Sequence, residues 1–311
     1  MTVAVYVGIY LGFLIFLIGC VRRVIQYARA PIHLRWELYP VPHEEPGRVA
    51  HGGSYFESSD WWTQPRHFNW RGELRAMIPE ILFLKGLWEF NRGLWYASFL
   101  FHFGLYCTIA SMVLVVGQVI MSAAVAGWTN GLGGLAVAGG YRVTGYAALL
   151  LTLAGALALL WRRMRDAELK NFTSPADIFN LVFFILTYCI LGAGYCLRPE
   201  GAASVTSIAR GVLTFDIKAE VAPMIGFGLV LASVLIAYIP LTHMAHFIAK
   251  YFTYHAVRWD DRANLRGGKI ETAVAGYLRY KPNWAAKHVG ATGEKTWAEI
   301  ATANPAREVR K

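Results

Sequence analysis

Apolar residues dominate five stretches of this chain, 3–21, 94–125, 143–161, 178–197 and 221–250. Each is long enough to cross a bilayer as a helix, for which about 20 residues suffice. The pattern predicts an all-α integral membrane protein, a five-span bundle over residues 1–254 followed by a polar tail, 255–311. The connection 22–92 is polar and aromatic, with prolines and glycines that deny it a spanning helix. Its Trp36, Trp61, Trp62 and Trp70 suit a membrane interface, where amphipathic rings collect. Residues 76–90 read as a short interfacial helix leading into the second span. The stretch GWTNGLGGLAVAGGY, 127–141, reads as a glycine-rich turn, and without a GK[ST] ending it is no phosphate loop. No basic segment precedes the first span and no small-residue cleavage site follows it, so it is expected to remain as an anchor.

Composition agrees: 56% of the 311 residues are hydrophobic and only 16% charged. The net charge of +10 gains meaning from its placement. Of the 30 Lys and Arg residues, 26 fall in 22–92, 162–170 and from 250 onward, leaving four for the other two loops. Basic loops stay in the cytoplasm, so the N-terminus is expected outside and the tail inside. The charge excess is a topology signal and gives no support to a nucleic-acid partner. The four cysteines, Cys20, Cys107, Cys189 and Cys196, form neither a CxxC nor a CxxCH and are expected to pack as small buried hydrophobes.

Three of the nine histidines lie in apolar runs: His102, His243 and His246. An imidazole at membrane depth is costly and suggests function. His102 lies ten residues after Arg92 and His246 four before Lys250, about 15 Å and 6 Å from those charges at 1.5 Å per residue. Both belong to the same half of the bilayer. Two histidines on two spans at similar depth meet the need of bis-imidazole haem ligation, although histidines that only bond neighbouring helices are the plainer alternative. His243 is expected one helical turn before His246, as a propionate partner, a proton relay beside a quinone, or a ligand in place of His246. Pro240 is expected to bend the helix just before the pair. Glu80, Lys85, Glu89 and Arg92 precede the His102 span where quinone head groups and propionates would lie. Gln118, Asn180 and Thr187 read as polar links between helices.

Five spans, LFHFG at 100–104 and IPLTHMAHF at 239–247 resemble the gamma (cytochrome b) subunit family of respiratory nitrate reductase. The tryptophan-rich connection and the tail WDDR…KPNWAAKHVGATGEKTWAEIATANP are similar to the branch in sulfate-reducer membrane complexes. The resemblance implies a subunit of the bacterial inner (cytoplasmic) membrane, not a complete enzyme alone. It would exchange electrons between menaquinone and a cytoplasmic heterodisulfide-reductase-like iron–sulfur subunit, with a periplasmic multihaem cytochrome c as a further candidate partner. It assigns the inner haem b to His102 and His246. The outer haem would need histidines where this chain has Met112 and Gly228, so one haem is expected. Two readings stay open beside it: a diheme conduit pairing His243 with His33 or His67, and a redox-silent anchor or transporter in which the histidines only pack.

Overall fold

The computed structural model describes residues 2–30, 39–284 and 287–303, and no strand occurs among them; His33 and Trp36 lie outside the described residues. The chain forms two compact units, Met1–Ile25 with Arg71–Ile248, and Gln26–Trp70 with Ala249–Lys311.

The first unit is built from helices α1 (Thr2–Ala28), α2 (Trp70–Leu82), α3 (Lys85–Phe90), α4 (Arg92–Ala124), α5 (Leu132–Arg165), α6 (Pro175–Cys196), α7 (Val205–Thr214) and α8 (Pro223–Tyr238). Five segments are long and apolar enough to span a membrane: α1, α4, α5, α6 and Pro223–Leu241. The third begins at Leu132 rather than at 143, because most of the expected glycine-rich turn is helical. In hydrocarbon a helix satisfies its own backbone, which outweighs the poor helical propensity of glycine. The interfacial helix expected at 76–90 is two helices, α2 and α3, separated by Leu84 with φ of 53°; the Gly86 N–H donates to Glu80 Oε2 at 2.9 Å.

Small residues let the helices approach to backbone contact. A Cβ on Gly155 of α5 would meet the Phe101 backbone nitrogen of α4, and one on Gly104 of α4 would meet the Thr152 backbone nitrogen of α5. The two contacts are reciprocal and one turn apart, so they fix how α4 is rotated against α5. The core beside them holds Ala97, Phe101, Ala156, Leu159, Leu181, Phe184 and Leu235. Glycine also seats α1 on α8, where a Cβ on Gly12 would come within 2.6 Å of the Ser233 carbonyl.

The last span departs most from expectation. Instead of one bent helix through 250, α8 ends at Tyr238. Two tight turns follow, Ile239–Leu241 and His243–Ala245, and a short helix, His246–Phe252. Pro240 has no N–H to continue the ladder, and Thr242 is extended at φ −118° and ψ −175°. The freed groups are taken up locally. Arg23 of α1 donates through Nε to the Pro240 carbonyl at 2.9 Å and through Nη2 to Leu241 at 3.1 Å. Thr242 Oγ1 accepts from the Met244 N–H at 3.3 Å.

The second unit joins the connection to the tail, segments far apart in sequence. Asp261 is its centre: His43 Nε2 donates to Oδ2 at 3.2 Å and Arg66 lies 3.0 Å from Oδ1. Glu44, 2% exposed, accepts the N–H groups of Val41 and Tyr55. Trp61 packs on Phe56 with ring centres 4.2 Å apart, inside this unit's aromatic cluster. Trp62 and Trp70 are exposed. Burial alone would raise the Asp261 carboxyl, yet hydrogen bonding by His43 and Tyr55 and the charge of Arg66 hold it at about 2, against an ordinary 3.8.

Two expected outcomes follow from this packing. Gly155→Ala forces α4 from α5 and lowers the thermal unfolding midpoint in detergent, a loss of about 1–3 kcal/mol for overpacking. In the second unit the depressed Asp261 pKa stabilises the fold above about pH 4, and that contribution vanishes as pH falls through about 2. Limited proteolysis of the wild type should show that loss, whereas Asp261→Asn is already weakened at pH 7 and lacks the step.

Candidate functional site

All the groups of interest in the first unit gather at one end of the bundle, where α4 and α6 begin and α5 and α8 end. His102 projects from the third turn of α4. Its Nδ1 lies 2.7 Å from the Ser98 carbonyl. A carbonyl only accepts, so Nδ1 carries the proton and Nε2 keeps its lone pair, the tautomer a metal ligand requires. The break after α8 turns His246 toward it: the two ring centres are 6.1 Å apart with planes inclined by 68°. If His102 and His246 were each to hold the iron of one haem through a ring nitrogen, their ring centres would stand about 6 Å apart, from nitrogen–metal bonds of about 2 Å and about 1.1 Å from nitrogen to ring centre. The pair therefore fits bis-imidazole haem ligation. Among the described residues no cluster of three or more His, Cys, Asp or Glu could hold a metal.

His243 does not share a helix with His246, since the extended Thr242 and the turn His243–Ala245 replace the expected α-helical spacing. Its Nε2 lies 3.2 Å from Asp177 Oδ1 and 3.3 Å from Asn180 Nδ2, both on α6. Asp177 also completes a capping box with Ser174, accepting its N–H at 2.8 Å, and has Arg163 of α5 at 3.8 Å. Asp177 is the residue that reading the sequence missed. It falls one position before the expected span, and the Ser-x-x-Asp motif ahead of an apolar run marks it as a helix cap rather than a site residue.

The other sequence candidates separate from the histidines. Lys85 pairs with Glu89 at 3.6 Å, and Arg92 lies 4.7 Å over the Trp88 ring. Lys85 lines an open cleft of about 360 Å³ with Pro79, Phe83, Trp88 and Trp95. Gln118 accepts from Trp128 Nε1 at 3.1 Å, linking α4 to the following turn. Thr187 bonds back to Phe183 within its own helix, not across to a neighbour. Met112 is 56% exposed, and a Cβ on Gly228 would lie 2.8 Å from Leu191 Cδ2. His67 is exposed in the second unit. The four cysteines are free, and Cys189 and Cys196 are exposed rather than buried, because they occupy the outward face of an apolar helix.

The comparisons with known proteins bear on this arrangement. A curated relative from Archaeoglobus profundus, named Hdr-like menaquinol oxidoreductase cytochrome b-like subunit, is 24% identical over 266 residues, 78% of this chain and 75% of the relative. No solved structure matches the chain. Residues 87–260 match the family described as nitrate reductase gamma subunit. That match takes in α4, α5, α6, α8 and His102, His243 and His246, more than half of the 311 residues. The chain is thus a multi-pass membrane protein and belongs to the nitrate reductase gamma subunit family.

Proposed function

We propose that this chain is the cytochrome b subunit of a menaquinol-linked redox complex, holding one haem b between His102 and His246. The observation that carries the proposal is the 6.1 Å separation of the two rings, with the His102 tautomer fixed by Ser98. The haem supplies one-electron chemistry when bound, while the chain supplies axial nitrogens, burial and proton access. The relative's name supports the menaquinol link. A single haem is supported by the second position: Leu191 fills the space at Gly228, and Met112 faces outward.

His243 contacts Asp177 and Asn180, which favours a polar role over ligation. The basic loops orient the haem end toward the cytoplasm, with the N-terminus outside. The second unit carries much of the connection and all of the tail, and is the proposed docking surface for a heterodisulfide-reductase-like iron–sulfur subunit. A periplasmic multihaem cytochrome c would take the opposite side.

Spectra of membranes carrying single variants test the ligand set. His102→Ala and His246→Ala should each abolish the low-spin haem spectrum, since one imidazole does not complete the site. His243→Ala should keep one haem per chain by pyridine haemochrome assay. Two haems per wild-type chain would overturn the count, and haem lost from His243→Ala but kept in His246→Ala would reverse the assignment.

A further inference from the structure

Asn180 is only 6% exposed, and its Oδ1 has no hydrogen-bond partner. A buried amide oxygen left unpaired is costly, so an orphan of this kind at the end of a bundle calls for an explanation. The other end of the amide faces His243 Nε2 at 3.3 Å, and Asp177 Oδ1 faces the same nitrogen at 3.2 Å. That nitrogen lies between a donor and an acceptor. With a lone pair it accepts from Asn180, and with a proton it donates to Asp177. Either state of the ring is served without moving a helix.

An aromatic cluster of mutually inclined rings lies on the same two helices. Phe179 and Phe183 of α6 and Tyr238 at the end of α8 have ring centres 5.7 to 6.1 Å apart. Phe179 is 53% exposed, and the His243 side chain is 57% exposed. On a membrane-spanning bundle, exposed apolar rings face lipid, so a ligand dissolved in the bilayer reaches them without passing through water.

We propose that Asn180, supported by His243 and Asp177, binds a ring oxygen of the quinone, with Phe179, Phe183 and Tyr238 receiving its head group. The chemistry matches in both redox forms. Once side-chain movement opens the buried amide, a hydroquinone would present O–H to its oxygen and a quinone C=O to its nitrogen. The Asn oxygen and nitrogen are distinguished only by their partners, so the amide can turn to suit either form. Arg163, 3.8 Å from Asp177 and donating to Thr173 Oγ1, anchors the carboxylate from α5. This site rests on the reading of the chain as menaquinol-linked, and it places the quinone beside the segment that carries His246.

The test uses the full chain in detergent, with menadione as the oxidised probe and menadiol as the reductant. Asn180→Leu is close in size and removes both ends of the amide, so the bundle is retained and an unchanged haem spectrum reports it. The dissociation constant for menadione by titration calorimetry and the KM for menadiol-driven haem reduction should each rise about tenfold, the scale of one lost hydrogen bond. Phe179→Ala, an exposed position, should weaken menadione binding several-fold with haem unchanged. Wild-type affinity in both variants would overturn this site while leaving the menaquinol reading intact. A wild-type chain that holds haem yet neither binds menadione nor accepts electrons from menadiol would overturn both.

Discussion

The structure depends on a helix that stops at Tyr238, inside an apolar stretch of the chain, with the carbonyls just beyond its end taken up by another span. Breaking a ladder in hydrocarbon costs several kcal/mol for each orphaned group. Here Pro240 removes the donor and Thr242 turns extended, while Arg23 from the first span takes the carbonyls of Pro240 and Leu241. An arginine that reads in the sequence as a flanking topology charge thus closes the end of α8 as well. Because those carbonyls are satisfied, the chain can change direction and carry His246 to within 6.1 Å of the His102 ring.

His102 needs the same precision from the other side, and it comes from the α4–α5 contact. Gly104 and Gly155 bring the two backbones together at points that flank His102 in sequence and in space. A helix held at two reciprocal points one turn apart has little freedom to rotate. The Ser98 carbonyl then fixes the imidazole, 2.7 Å from Nδ1. Rotation of the helix and tautomer of the ring are set by different residues, so neither depends on a bound cofactor to define it.

The five spans were legible because hydropathy is a sum over some 20 residues, and single exceptions do not erase it. That His102 and His246 come close together was legible for a similar reason, as imidazoles are rare in such runs. Residues 127–141 misled because glycine content signals a turn in water, whereas in a membrane the same glycines permit close packing within a helix. The pairing of 26–70 with 249–311 was not legible at all. It rests on Asp261 meeting His43 and Arg66, contacts that no local pattern encodes. Asp177 was hidden because a helix cap and a histidine partner look the same in sequence.

The break after α8 also changes the surroundings of His243. On one continuous helix His243 and His246 would stand one turn apart on neighbouring faces, competing for the same space. The turn His243–Ala245 separates them, and His243 meets the first turns of α6 instead. There it finds a carboxylate and a buried amide. One local interruption therefore gives two neighbouring imidazoles different surroundings, and on the proposed reading one holds iron while the other supports the residue that hydrogen-bonds a quinone oxygen. Electron transfer from a hydroquinone requires both, because each electron that leaves it must be matched by a proton leaving its oxygen.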